Sequence, residues 1–246
     1  MARMSLRADA SKYYLGYIWW ILEPLLYVLV FYVVFNVLLD SQRADFLVFL
    51  MCGKLPFIWF SKTVTQASNS IVGNRGLIGK INISKTLFPM ALVQDGLYKQ
   101  IAVFALLFAV LIFYGYSVSV TWLWLIPVVV VNYLMIVACS LVGAALVCVV
   151  RDFSLLISLG MIFLMFTSGI FWDVRTLADP ELTSLLLTFN PMVFILDCYR
   201  QILMYQVVPD LSHLAVLGMF WLSLVAMIVW IIGRASQYLA LKALTA

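Results

Sequence analysis

Side chains able to do covalent or acid–base chemistry are few in this sequence, and their spacing argues against an enzyme. The single histidine, His213, stands at the edge of an apolar run and reads as an interfacial polar residue. With one histidine so placed, no Ser–His–acid set can be drawn. The four cysteines, Cys52, Cys139, Cys148 and Cys198, form neither a CxxC pair nor a metal-ligand pattern, so no metal site is expected. Three of them read as small core residues; Cys198 has only Cys52 as a conceivable disulfide partner, and that bridge is not expected. Gly73, Gly79 and Lys80 approach a phosphate-binding loop. That loop needs G-x-x-x-x-G-K-[ST] behind a strand. Here the glycines stand one residue too far apart and Ile81 follows the lysine. No nucleotide site is expected in this chain. A lipid-modifying membrane enzyme built on a pair of acids is the rival from a different class.

Three other groupings can do physical work. The first is the basic island 74–89, NRGLIGKINISKTLFP. Leu77, Ile78, Ile81 and Ile83 alternate with Arg75, Lys80 and Lys85, as in a short surface helix with an apolar underside. A loop whose cations only fix topology is the plainer reading. The second is a polar stripe. At about 100° per residue, Lys54, Ser61, Thr65, Ser68 and Asn69 share one helical face, with Lys62 on its flank. Serines and threonines allow close helix packing. Two lysines do not fit that reading, because a lysine in lipid is costly. A wet cavity or a polar subunit interface accommodates all six. The third is aromatic: Trp19, Trp20, Tyr27, Phe31, Tyr32 and Phe35, then Phe57, Trp59 and Phe60, then Phe171 and Trp172. Interfacial belts explain the rings at span ends. The rings nearer mid-membrane suit either core packing or stacking against the apolar faces of sugars.

These residues sit on elements that composition makes membrane-bound. The 246 residues are 65% apolar and 11% charged, with a mean hydropathy of +1.10. A soluble surface takes roughly 25% charged residues. The apolar runs are continuous rather than alternating, which predicts helices instead of a barrel. The fold class expected is therefore all-α, with six transmembrane helices. The spans run from about Ile18 to Leu39, Phe46 to Val72, Met90 to Phe113, Trp122 to Val150, Phe153 to Trp172, and Leu214 to Gly233. Gly53 and Pro56 predict irregular backbone in the outer part of the second. Residues 1–17 read as an amphipathic interfacial helix and carry no signal-peptide pattern. Glu23 either stays at the interface or needs a cationic partner on another helix. Asp95 and Lys99 are spaced for a helical pair.

The segment 173–209 is too broken for two spans and too apolar for a free loop. It reads as a re-entrant outer hairpin broken at Asn190-Pro191 or, alternatively, as an outer surface cap. Asn190 is placed to cap the second half-helix, and Asp197 and Arg200 are spaced to pair with each other. Placing both termini in the cytoplasm puts Arg3, Arg7, Lys12, Arg75, Lys80, Lys85, Arg151, Arg234 and Lys242 inside. Only Arg43, Arg175 and Arg200 then lie outside, a clear positive-inside bias. The formal charge of +4 reflects these loops facing anionic lipid and protein, and no nucleic acid is implied.

Four motifs in order along the chain carry a resemblance. Leu15-Gly16 is followed by Trp19-Trp20 and Glu23-Pro24 at the start of the first span. Gly53 and Pro56 precede Trp59-Phe60 in the second. The island runs from Asn74 through Leu77-Ile78 to Phe88-Pro89. Arg151-Asp152 follows the fourth span, and Asn190-Pro191-Met192 and Tyr199-Arg200 lie in the outer hairpin. Together they resemble a type-2 ABC exporter permease, specifically the subunit that exports lipid-linked polysaccharides of the O-antigen type. The nearest rival reading keeps the fold and changes the cargo to capsule polysaccharide, teichoic acid, drug or lipid.

The resemblance implies a homodimer in a bacterial inner membrane, joined to two separate ATPase subunits that bind ATP and Mg. No cofactor is implied in this chain. It implies that 74–89 is a coupling helix seated on the ATPase through Arg75, Leu77, Ile78, Lys80, Ile83 and Lys85, with Arg151 and Asp152 beside it. It implies a channel at the dimer interface. Trp19, Trp20 and Tyr32 would line it from the first span, and Lys54, Phe57, Trp59 and Phe60 with Ser61, Thr65 and Ser68 from the second. Phe171, Trp172, Asn190, Asp197 and Arg200 would form an outer gate.

Overall fold

Within lipid a chain must satisfy its own backbone, and a helix does so locally. In the computed structural model every described regular element is helical. The structure describes residues 18–34, 45–80 and 83–245. The interfacial helix expected over 1–17 lies outside the described residues, as do Phe35 and Ile81.

The helices are α1 (Trp19–Tyr32), α2 (Phe46–Ser68), the one-turn α3 (Ser70–Gly73) and α4 (Arg75–Ile78), α5 (Leu87–Phe113), α6 (Leu125–Val149), α7 (Phe153–Thr167), α8 (Pro180–Phe189), α9 (Pro191–Leu203), α10 (Leu211–Arg234) and α11 (Ser236–Thr245). A 3-10 turn, Val120–Trp124, leads into α6. Four helical stretches are long and apolar enough to cross a membrane: α2, α5, Val120–Val149 and α10. The pair α8 and α9 forms a fifth apolar unit, bent by 103° at Asn190. With 14 and 15 residues, α1 and α7 are shorter. At 1.5 Å per residue α7 extends about 22 Å, against a hydrocarbon core of about 30 Å, while helical backbone continues beyond α1 through Val34.

The centre of the bundle is α2. Val48, Leu50, Cys52 and Leu55 have no exposed surface, and the helix packs on α1, α5, α6 and α9. Contrary to the expectation of irregular backbone, α2 runs helically through Gly53 and Pro56. A proline removes one backbone hydrogen bond, and neighbours packed on every side hold the helix together. Close packing sets the α2–α6 contact: a Cβ on Gly143 would collide with Ser68 Oγ. At the opposite extreme, α10 buries only Leu214, Trp221, Ile228 and Ile232. Spacings of seven and four keep one narrow seam on α6 and leave Met219, Leu222 and Trp230 exposed.

The hairpin halves differ in surroundings. Every residue of α8 is exposed or half-buried, whereas Met192 through Leu203 of α9 are all buried. That burial places α9 inside the bundle, between α2 and α6, rather than as a cap on its surface. Each half starts with an acceptor cap and a proline in the first turn. Asp179 accepts from the amides of Glu181 and Leu182, and Asn190 from those of Met192 and Val193.

Candidate functional site

The face of α2 that carries Lys54, Ile58, Ser61 and Lys62 recurs every three or four residues. It looks into a groove walled by α1, α5 and α7. Two adjoining cavities occupy the groove and share Glu23, Ile58 and Lys62. One, of about 390 Å³, is bordered by Trp19, Trp20, Trp59, Asp95, Lys99 and Gln100. The other, of about 320 Å³, is bordered by Tyr27, Lys54, Phe57, Ser61, Met161 and Met165. Between them Lys62 Nζ meets Glu23 Oε2 at 2.5 Å. Glu23 thus has its cationic partner on another helix. Asp95 and Lys99 also pair, at 2.7 Å, with the acid buried.

Lys54 is 4% exposed. Its ammonium donates to Met165 Sδ at 2.8 Å and lies 4.3 Å from the Phe31 ring centroid. Phe57 and Phe171 stand at 5.7 and 5.8 Å. The rest of the polar stripe divides. Ser61 borders the groove, and Thr65 is half-buried. Ser68 turns away, donating to the Val64 carbonyl and packing on Gly143. Asn69 accepts from Ser154 on α7, which ties the two helices below the groove. The aromatics divide as well. Trp19, Trp20 and Phe57 stand on cavity walls. Trp59 borders one cavity but is buried, with its ring near Phe104 and Tyr133. Phe60 is buried beside Phe57, and Tyr32 is half-buried.

Above the groove the structure corrects the expected Asp197–Arg200 pair. Arg175, on the 3-10 turn Val174–Thr176, reaches Asp197 with a fork: Nε to Oδ1 at 3.0 Å and Nη2 to Oδ2 at 2.8 Å. Gln201 Nε2 adds a third donor at 2.5 Å. The hydrogen bonding pushes Arg175 above its ordinary pKa. Arg200 instead donates to the carbonyls of Gly169 and Ile170, at 2.6 and 2.9 Å. Its guanidinium carbon lies 3.5 Å from the Phe49 ring centroid. The carbonyls just past the end of α7 need donors, and Gly169, at φ +70°, turns the chain away from the helix. A Cβ on Gly53 would stand 2.5 Å from Arg200 Nη2, so that glycine makes the space. Asp197 and Arg200 are both buried. Phe171 packs on Phe31 and Phe166, and Trp172 Nε1 donates to the Phe166 carbonyl.

The island is less helical than its pattern predicts. Among its described residues Arg75–Ile78 forms one helical turn, Ile83 and Ser84 are not helical, and Leu87, Phe88 and Pro89 already belong to α5. Arg75 and Lys80 are exposed, and Leu77 and Ile83 half-buried. Lys85 is turned inward, 3% exposed, donating to the Ile83 carbonyl. Ile78 is buried, and α11 packs on this turn, with Leu244 beside Gly79. Arg151 and Asp152 lie exposed in the turn between α6 and α7. Cys52 and Cys198 are separate buried thiols.

Residues 3–204 match the family model described as ABC-2 type transporter. The chain belongs to the ABC-2 type transporter family. Among relatives of this transporter, an O-antigen export system permease protein RfbA of Myxococcus xanthus is 28% identical over 220 residues, 89% of this chain and 84% of the relative. The RfbA of Klebsiella pneumoniae is 26% identical over 191 residues, 77% and 73% of the two chains. A polysialic acid transport protein KpsM of Escherichia coli is 27% identical over 224 residues, 88% and 84%.

In this ABC-2 family member the groove brings together Trp19, Trp20, Lys54, Phe57, Trp59 and Ser61 from the sequence-expected set. Tyr32, Phe60, Thr65 and Ser68 do not border either cavity. Asp95, Lys99 and Gln100 do border one, and sequence reasoning assigned them no site role. Their signal was the favourable Asp95–Lys99 spacing, which reads equally as a structural pair. Arg175 carried no local signal, because its partner lies 22 residues away.

Proposed function

We propose that this chain is the membrane permease of an ATP-driven exporter that moves a lipid-linked polysaccharide outward across the bacterial inner membrane. The observation that carries the reading is the groove. Ion pairs, a caged lysine and indole rings line two adjoining cavities in a bundle that exposes many large apolar side chains elsewhere. Sugars present hydroxyl edges and apolar faces, and such walls suit both. The printed activities of the relatives, O-antigen export and polysialic acid transport, support polysaccharide as the cargo.

In this reading α1, α2, α5, α6, α7 and α10 are the six spans, and α8 with α9 forms the re-entrant outer hairpin. Both termini lie in the cytoplasm, as the positive-inside bias requires. Two copies face each other to complete the channel. Two separate ATPase subunits bind ATP and Mg and dock on the turn bearing Arg75 and Lys80, beside Arg151 and Asp152. The short α7 borders the groove, where bilayer thinning and polar contacts tolerate a span below full length.

The test is genetic and topological. Deleting the chain should remove polymer from the cell surface while lipid-linked polymer accumulates inside. Tags after Asp173 and Val207 should be reached from outside. Unchanged surface polymer in the deletion strain contradicts export, and a tag at Asn190 reached from the cytoplasm contradicts the re-entrant hairpin.

A further inference from the structure

Among the described residues, Lys54 is the buried cation that meets rings and a thioether but no acid. Glu23 is engaged by Lys62, Asp95 by Lys99, and Asp197 by Arg175. Among the described residues no carboxylate lies within ion-pair distance of Lys54. An ammonium has three donors and wants oxygen acceptors. Met165 Sδ is a weak acceptor, and the rings of Phe31, Phe57 and Phe171 offer only their π faces. An apolar side chain would fill this site at lower cost. The open side of the site is the cavity of about 320 Å³. The charged side chains on its wall are Lys54, Lys62 and Glu23, two positive and one negative. Tyr27 and Ser61 add hydroxyl groups to the same wall, and Ser61 makes only a long 3.4 Å bond to the Ile58 carbonyl.

We propose that this cavity is an oxyanion subsite. Lys54, with Ser61 and Tyr27, binds a phosphate or carboxylate group carried by the cargo. The inference rests on the export reading and adds that the cargo is charged. In the structure Lys54 contacts rings of α1, of α2 and of the segment after α7. An arriving oxyanion replaces those π contacts with charge-assisted hydrogen bonds. The ring contacts from Phe31 and Phe171 are then released, so binding and loosening of the wall beneath the hairpin occur together.

The test uses the full chain in zwitterionic phosphatidylcholine nanodiscs, followed by thermal unfolding. The probes are glucose 1-phosphate, glucuronate, decyl phosphate and, as neutral control, glucose. Wild type should be stabilised saturably by at least one oxyanion probe and not by glucose. Lys54→Met should weaken that binding by about tenfold or more, as loss of a charged hydrogen bond implies, and Lys54→Arg should retain it. Without ligand, Lys54→Met should unfold at the wild-type temperature or above. The preferred probe separates sources: decyl phosphate alone points to the lipid carrier, glucose 1-phosphate to a phosphorylated sugar, and glucuronate to an acidic sugar. Equal oxyanion binding by wild type and Lys54→Met overturns the proposal, and so does a wild type that binds none of the three. Unliganded Lys54→Met unfolding well below wild type also overturns it, because the lysine is then a structural cation. Lys54→Gln provides a second neutral variant for the same comparison. The export reading fails separately, if deletion of the chain leaves surface polymer unchanged.

Discussion

Replacing Arg175 with Met removes the fork that holds Asp197. Asp197 is 3% exposed and accepts from Arg175 and Gln201; the Arg175 side chain is 51% exposed. An exposed partner lowers the value of an ion pair through solvent screening. The buried partner raises the cost of breaking it, because the carboxylate keeps one donor where it had three. Charge-assisted hydrogen bonds contribute about 1.5–3 kcal/mol each. With screening on the Arg175 side, the loss should be about 2 kcal/mol. Asp197→Asn in the Arg175→Met background should recover part of it, since the buried charge is then gone. A double-mutant cycle on thermal unfolding in nanodiscs should give a coupling of about 1–2 kcal/mol between positions 175 and 197. The same cycle between 197 and 200 should give less, because Arg200 is held by the carbonyls of Gly169 and Ile170. A larger coupling between 197 and 200 than between 175 and 197 would refute the assignment.

Other expectations follow from single contacts. Asn190→Leu removes the acceptor for the amides of Met192 and Val193 and should cost about 1 kcal/mol, while Asn190→Asp should preserve the midpoint. In a background without native cysteines, Ser61→Cys should react with a water-soluble thiol reagent and Ser68→Cys should not, since only the first borders the groove; equal labelling counts against the division of the stripe. Ile78→Asp places a charge beneath α11 and should cost several kcal/mol if the charge stays unpaired. Faster tryptic cleavage at Lys242 and loss of ATPase co-purification are the readouts, and unchanged cleavage means α11 does not cover this turn.

The helical membrane class, the Asn190 cap and the Asp95–Lys99 pair were readable because they depend on local order, whereas Asp197 and Arg200, equally near in sequence, each found another partner. Asn190 caps the helix that follows it, and Asp95 meets Lys99 one turn away. Continuous apolar runs announced helices without any tertiary information. The Arg175–Asp197 fork was not readable, since two residues 22 apart meet only once the hairpin bends. Cover for Ile78 from within the chain was not readable for a related reason. Helix α11, from the far end of the chain, packs over the Arg75–Ile78 turn and buries Ile78. On α2 the 100° stripe was real as a helical face, but the groove closes before Ser68 because Gly143 lets α6 approach. Helical periodicity indicates which residues share a face; it carries no information about how far along that face a neighbour lies.

The most direct measurement of the central claim is transport in inverted membrane vesicles that contain this chain, its ATPase and radiolabelled lipid-linked polymer. Export predicts that polymer becomes protected from an added glycosidase only when ATP is present, and that protection disappears in vesicles lacking this chain. Protection at the same rate without the chain, or without ATP, would contradict the account.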